Sequence, residues 1–179
     1  MIGLPEQKTG SCSSALGCTD VLFIISSLGG GGAERQVALL ASGLADLGYS
    51  ACVLTVEPRT RDDYKISSAV SRVVIPEILQ DRHAYRIRKR NLIGRIFRIY
   101  SYARCIRGQM KRLNPVQIVS VGYPEGLFAM TLKPRGSIQT LWTMLSTKSP
   151  KSKNPRYRLL FWLARIRKTR IITQTEEIE

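Results

Sequence analysis

The 179-residue chain has the length of one α/β domain, and its apolar content of 44% is ordinary for a globular fold. Its net charge of +15 is unevenly placed: residues 1–81 carry six Lys or Arg and nine Asp or Glu, whereas residues 82–175 carry 22 Lys or Arg and one acid, Glu125. No apolar run reaches the ~18 residues of a membrane-spanning helix. The four cysteines lack metal-ligand spacing and indicate a reducing cytosol. The basic region predicts an anionic neighbour, such as a membrane surface, a nucleic acid or an acidic saccharide.

The first elements are a strand, a glycine loop and a helix. Residues 1–19 are typical of a disordered leader, and the apolar residues 21–26 predict a strand. Four glycines follow, and residues 33–47 then predict a helix with one buried face. That face is formed by Val37, Leu40, Ala41, Leu44 and Leu47.

The rest of the chain continues the alternation of strands and helices. Further strands are predicted at residues 50–56, 70–75, 116–121, 138–144 and 170–175. Shorter helices are predicted at residues 125–132 and 156–167, and a long one lies within residues 82–113. The long helix has an apolar stripe of Leu92, Ile96, Ile99, Ala103, Ile106, Met110 and Leu113. This order predicts a doubly wound, Rossmann-like parallel sheet in a single domain over residues 20–179.

The glycine loop predicts a binding site for a phosphorylated or polyhydroxylated ligand. Gly29, Gly30, Gly31 and Gly32 sit between a strand and a helix N-terminus, where free N–H groups and the helix dipole attract anions. A nucleoside-triphosphate loop needs Lys and Ser or Thr after the last glycine, and this chain has Ala33 and Glu34. The dinucleotide fingerprint needs a third glycine where Arg35 stands, although Glu57 lies near the place of its ribose-binding acid.

The loop and its helix resemble the opening of family 4 glycosyltransferases, retaining enzymes of the two-domain GT-B fold. Residues 27–55 read SLGGGGAERQVALLASGLADLGYSACVLT, and residues 170–178 are similar to the strand that closes the N-terminal domain in that family. The positions that match the opening motif are Gly31, Gly32, Ala33, Glu34, Arg35, Leu40, Ala41, Leu44, Gly48, Val53 and Thr55.

The resemblance implies the acceptor-side domain of an enzyme that moves a sugar from a nucleotide-sugar donor to a lipid-linked or polysaccharide acceptor, in cell-envelope glycan synthesis. The donor-binding domain, with its E-x7-E pattern, is not within the 179 residues, so a separate chain is a candidate partner and this chain alone is expected to be inactive. No cofactor and no metal is expected. The donor diphosphate is expected at Gly29–Gly32, Glu34 and Arg35.

No catalytic residue is assigned. Many relatives have a His just after the strand that matches residues 138–144, whereas this chain has Thr143, Met144 and Ser146 there. The only histidine, His83, lies upstream in a basic segment and is expected to be solvated.

The long helix belongs to a segment, residues 82–112, that contains 11 Lys or Arg and no acid. Cations beside an apolar stripe are typical of a helix that lies on anionic lipid, which predicts a peripheral position on the inner face of the cytoplasmic membrane. Tyr85, Phe97, Tyr100 and Tyr102 are candidates for the headgroup level. Plain packing of the helix on the sheet explains the stripe equally well. The candidate membrane or acceptor contacts are Arg88, Lys89, Arg90, Arg95, Arg98, Arg107, Lys111, Lys151 and Lys153.

Two other function classes stay open. The first is a non-catalytic basic module that binds a membrane or a nucleic acid, although no helix-turn-helix, zinc-finger or RNP-like motif points to nucleic acid. The second is the cofactor domain of a nucleotide-dependent oxidoreductase. Arg35 argues against it, because it stands where the dinucleotide fingerprint has its third glycine.

Overall fold

The computed structural model describes residues 18–78, 92–132, 136–143 and 155–173, which form a parallel sheet and its flanking helices. The strands and helices in chain order are β1 (Val21–Ile25), α1 (Gly32–Asp46), β2 (Ala51–Thr55), β3 (Ser71–Val74), α2 (Ile75–Ile78), α3 (Leu92–Leu113), β4 (Gln117–Val121), α4 (Tyr123–Leu132), β5 (Ile138–Thr143), α5 (Pro155–Ile166) and β6 (Arg170–Thr173).

The six strands form one sheet in the order β3-β2-β1-β4-β5-β6, and every neighbouring pair is parallel. The predicted doubly wound α/β fold is therefore confirmed. The chain builds outward from β1 in one direction and then from β4 in the other, so β1 and β4 are neighbours whose following connections diverge. Ligands of such sheets bind at this switch point, beyond the carboxyl ends of the strands.

The two faces of the sheet have separate cores. On one face, Val37 and Ala41 of α1 pack with Phe23 and Val53 of the sheet. On the other face, Ile106 and Met110 of α3 and Ala129 of α4 pack with alternate residues of the same strands. Since successive side chains of a strand point to opposite faces, each apolar strand supplies both cores. α5 packs on α4 through Leu160, Ala164 and Met130.

Some predicted positions differ from the structure. Leu40 and Leu47 were expected in the buried face of α1, but they are 48% and 76% exposed. The sheet-facing side of α1 is centred near Ala41, and these leucines lie about 100° and about 120° around the helix axis from it.

Tyr102, a candidate for the headgroup level, is buried. Tyr102 stands one turn before Ile106 and two turns before Met110, so it belongs to the apolar stripe of α3 that packs on the sheet. Tyr100 points the other way and is exposed, whereas Tyr85 and the side chain of Phe97 lie outside the described residues.

The ends of two elements also differ from the sequence prediction. The strand expected at residues 70–75 ends at Val74, and residues 75–78 form the short helix α2 around Pro76. Thr19, which the sequence placed in the leader, is buried and donates its N–H to the carbonyl oxygen of Leu113 at 3.0 Å. This bond joins the chain just before β1 to the end of α3.

Candidate functional site

The glycine loop lies at the carboxyl end of β1, at the switch point of the sheet. Gly30 has φ of +80°, a conformation that side chains disfavour. Gly31 is the N-cap of α1 and makes no side-chain capping bond, and the N–H of Arg35 donates to its carbonyl oxygen at 3.1 Å. The Cβ positions of Gly30 and Gly32 face open space. The structure therefore leaves the main chain of the helix N-terminus approachable at these two residues.

The Glu34 side chain folds back over the loop. Its carboxylate occupies the space that a Cβ on Gly31 would take, although it makes no hydrogen bond to the N-cap. A negative charge here is favourable, because the N-terminus of α1 carries partial positive charge. Arg35, the next residue, is exposed to solvent. The first turn of α1 therefore already carries one charge of each sign.

A second loop, residues 56–70 between β2 and β3, fixes the start of the glycine loop. Gly29 pairs with Asp63 in an antiparallel bridge, and the N–H of Tyr64 donates to the carbonyl oxygen of Leu28 at 2.9 Å. A Cβ on Gly29 would lie only 3.1 Å from the Thr60 hydroxyl and 3.3 Å from an Asp63 carboxylate oxygen. This close approach explains a glycine at position 29.

Asp63 joins this loop to the sheet. Its carboxylate accepts hydrogen bonds from Thr60 Oγ1 at 2.7 Å and from Arg72 Nη2 at 2.6 Å. The Asp63 and Arg72 side chains are each only 9% exposed. Burial alone raises the pKa of Asp63, but the bonds from Thr60 and Arg72 and the charge of Arg72 outweigh it and hold the pKa below its ordinary 3.8. The Asp63–Arg72 ion pair is therefore buried and charged, and it lies beside the start of the glycine loop.

Glu125 lies on the other side of the switch point, after β4. It lies in the first turn of α4, just after β4, and is only 5% exposed. Its Oε2 is 2.8 Å from where a Cβ on Gly122 would stand, and Gly122 has φ of +96°. Burial, with a smaller contribution from the negative charges of Glu57 and Glu34, raises the pKa of Glu125 to about 7, against an opposing hydrogen bond from its own backbone.

The site therefore brings together three acids from three segments. Glu34 comes from α1, Glu57 follows β2 and Glu125 follows β4, all at the carboxyl edge of the sheet. The N–H of Glu57 donates to the carbonyl oxygen of Ser26 at 2.7 Å, which ties that residue to the end of β1. Sequence reasoning noted Glu125 only as the single acid of a basic region. No local pattern in the sequence marks it as buried at this edge of the sheet.

The structure describes the other predicted contacts only in part. Arg107 and Lys111 are exposed near the end of α3, which meets the chain just before β1, so they lie toward the opposite edge of the sheet from the glycine loop. Arg95 and Arg98 lie on α3, and their side chains are outside the described residues, as is that of Thr143 at the end of β5. The other residues named from the sequence fall wholly outside the described residues: Arg88, Lys89, Arg90, Lys151, Lys153, His83, Met144 and Ser146.

Within residues 18–78, 92–132, 136–143 and 155–173, no group of three His, Cys, Asp or Glu side chains is arranged to hold a metal ion. No helix in those ranges is long and apolar enough to cross a bilayer. Cys52 is buried in β2, where burial raises its pKa to about 11, so it is an unreactive part of the core.

Comparison with solved structures shows which fold this is. The chain superposes on sucrose-phosphate synthase from Thermosynechococcus elongatus with a TM-score of 0.57 and 10% identity, over 87% of this chain and 48% of that one. This chain and that part of the synthase share one α/β fold. The chain spans about half the length of that synthase. A Phytolacca americana UGT2 solved with UDP-2-fluoro-glucose and pterostilbene aligns with a TM-score of 0.43 and 16% identity, over 70% of this chain and 30% of that one. No protein-family model and no curated protein matches the sequence.

Proposed function

We propose that this glycosyltransferase-like domain forms the acceptor side of a sugar-transfer site and receives the donor diphosphate at its glycine loop. The observation that carries the proposal is an approachable helix N-terminus at the switch point of the sheet, with open space above Gly30 and Gly32. The family 4 resemblance of residues 27–55 supports a retaining transfer from a nucleotide sugar. It also supports a lipid-linked or polysaccharide acceptor in envelope synthesis. The donor-binding domain belongs to a further part of the protein or to a separate chain.

The chemistry of this loop is charge stabilisation on the leaving diphosphate. N–H groups at a helix N-terminus are fixed in place and need no reorganisation as negative charge develops on the leaving group. The Glu34 carboxylate over Gly31 repels a diphosphate, so we expect Glu34 to swing away when the donor binds. The exposed Arg35 is next to it and supplies a cation for the phosphate oxygens.

The diphosphate position is tested with Gly32→Ala. Its added methyl group meets no protein atom, so the fold stays intact, but it covers the N–H groups that a phosphate would contact. Amide chemical shifts of the full chain are followed during titration with UDP, GDP and ADP. We expect at least one nucleotide to move the Gly31 and Gly32 amides, and Gly32→Ala to weaken its binding about tenfold, which is one lost hydrogen bond to a charged group.

Gly43→Ala is the matched control, because it makes the same change on α1 with equally open space around the new methyl group. Its nucleotide affinity should equal that of the wild type. The diphosphate site at this loop would be contradicted by chemical-shift changes confined to other parts of the chain. It would also be contradicted if Gly32→Ala bound the nucleotide as tightly as the wild type.

We also propose that the layer of α3, α4 and α5 lies on an anionic membrane. Leu159, Trp162 and Ile166 form an exposed apolar stripe on α5, with Trp162 59% exposed. Arg165 is exposed beside that stripe, and Arg107 and Lys111 are exposed on α3. Trp favours the membrane–water interface, and each cation close to an anionic surface contributes about 1 kcal/mol. This supports a peripheral inner-membrane position, where a lipid-linked acceptor is available.

Vesicle flotation tests the membrane surface. The full chain should float with vesicles of phosphatidylglycerol and phosphatidylcholine at low salt and stay unbound with phosphatidylcholine alone. The double variant Trp162→Ser, Ile166→Ser should lower the affinity at least about tenfold, because two exposed apolar side chains no longer enter the interface. The control is Leu39→Ser, Leu47→Ser, two equally exposed leucines of α1 on the opposite face. An equal loss in the control, or equal binding to neutral vesicles, would refute this membrane surface.

A further inference from the structure

The crevice between β1 and β4 has an acidic wall that the diphosphate proposal does not use. Glu125 is more than nine-tenths buried, and its carboxyl group makes no hydrogen bond to another described residue. A buried carboxyl whose hydrogen bond comes only from its own backbone is costly, because burial disfavours its charged form. A cost of this kind at the switch point of a doubly wound sheet is characteristic of a ligand-binding group.

The direction of this carboxyl group is fixed by the loop beneath it. Gly122, which lacks a Cβ, leaves room for Glu125 Oε2 against the main chain at the end of β4. A methyl group at position 122 would lie 2.8 Å from Glu125 Oε2, which is closer than van der Waals contact, and would push the carboxyl group aside. The carboxyl group also lies close enough to Glu57 and Glu34 for their charges to act on it. Glu125 follows β4, the neighbour of β1, so it lies at the same edge of the sheet as the glycine loop.

We propose that the Glu125 carboxylate accepts a hydrogen bond from a hydroxyl group of the sugar acceptor, in the crevice between β1 and β4. This inference rests on the transfer function proposed above and names the group that holds the acceptor. We expect a neutral ligand: Glu34 and Glu57 lie at the same edge of the sheet and their negative charges act on Glu125, so an anion there is repelled. A hydroxyl group donates to a carboxylate without adding charge, and such charge-assisted bonds are stronger than neutral ones.

The binding reaction is linked to protonation. Near neutral pH the Glu125 carboxyl exists in both its protonated and its ionised form, and the hydroxyl donor stabilises the ionised form. Sugar binding should therefore lower the pKa of Glu125 and strengthen as pH rises from 6 to 8. An anion in the same place would raise that pKa and bind better at low pH. The titratable groups whose charges act on Glu125 are Glu57, from the segment after β2, and Glu34, from α1.

The experiment follows the side-chain carboxyl carbons of glutamate by ¹³C NMR in the full chain. The Glu125 signal is assigned in the wild type by correlating the side-chain carboxyl carbons with assigned backbone amides, and its absence in Glu125→Gln checks the assignment. The wild type is titrated with pH alone and then with methyl α-glucoside, methyl α-mannoside, methyl α-galactoside, glucosamine or inorganic phosphate. We expect at least one methyl hexoside to lower the Glu125 pKa by about half a unit or more, and Glu125→Gln to bind it about tenfold more weakly.

Glu77→Gln, which changes an exposed carboxylate far along the chain from Glu125, is the matched control and should bind the sugar like the wild type. The proposal is overturned if no methyl hexoside moves the Glu125 pKa, if only glucosamine or phosphate does, or if Glu125→Gln keeps full sugar affinity. The wild-type titration decides the first two outcomes even if the variant does not fold. Nucleotide-induced shifts of the Gly31 and Gly32 amides test the proposed function separately. If those shifts occur and no sugar binds at Glu125, only the Glu125 inference is contradicted.

Discussion

Replacing Asp63 with Ala is expected to lower the free energy of unfolding by about 3 kcal/mol, measured by urea denaturation at pH 7. The substitution leaves the guanidinium of Arg72 buried without its 2.6 Å partner, and its Nε already has no hydrogen-bond partner among the described residues. Removing one member of a buried pair costs far more than the pair contributes, because the remaining charge stays desolvated. Asp63→Ala also removes the acceptor of the Thr60 hydroxyl.

Two further variants make the Asp63 prediction specific. The double variant Asp63→Ala, Arg72→Leu should recover much of the lost stability, because no unpaired charge is then buried. Glu77→Ala breaks the Arg59–Glu77 pair, whose 3.1 Å contact is similar but whose side chains are 52% and 41% exposed. That loss should be within about 0.5 kcal/mol. Equal losses for Asp63→Ala and Glu77→Ala would show that burial of the first pair has no energetic role.

The pH dependence of the same pair has a definite sign. Since the folded-state pKa of Asp63 is below 3.8, the folded protein holds its charged form more strongly than the unfolded chain does. The stabilisation is present above about pH 4 and is lost as pH falls through that value. Asp63→Ala should lack this acid-sensitive component. The effect matters for the site, because Asp63 is the residue that pairs with Gly29 at the start of the glycine loop.

The layout of the sheet was predictable from local patterns in the sequence. Apolar runs such as residues 21–25 and 117–121 alternate with helices of 3.6-residue period, and that order allows few topologies. The side a helix buries was less predictable. Leu40 is as apolar as the buried Val37, and only the packing of α1 against β1 and β2 decides which of them faces the sheet.

The glycine loop of the candidate site was predictable from the sequence, whereas the residues packed around it were not. The glycine loop carries its own local signal, because glycines between a strand and a helix expose the N–H groups at the helix start, although glycines also form plain tight turns. The Asp63 contact to Gly29 joins positions 34 residues apart through two loops, and no local pattern records such a contact. The burial of Glu125 likewise depends on how α4 packs beside β4 and on the missing Cβ of Gly122. Its sequence context shows only an acid among cations.

Replacing Glu125 with Gln is expected to make the protein more stable at pH 8, by about 3 kcal/mol relative to the wild type. The pKa of Glu125 is about 7 in the folded state and ordinarily 4.5, so between these values the folded protein binds more protons than the unfolded chain. Wild-type stability should therefore fall as pH rises from about 4.5 to 7 and level off above it. Glu125→Gln removes this slope, because the amide has the same shape and no charge to desolvate.

Urea denaturation at pH 5, 6, 7 and 8 measures the slope directly, with Glu77→Gln as the exposed control that should follow the wild-type profile. The Asp63 effect is confined to pH below about 4, so the two titrations do not overlap. Parallel wild-type and Glu125→Gln profiles would show that Glu125 is not a strained carboxyl. A falling wild-type profile shows instead that this acid costs the fold stability at neutral pH. Such a cost in an otherwise cationic half of the chain supports the proposed ligand-binding role of Glu125, because residues at binding sites are fitted to the ligand and not to the fold.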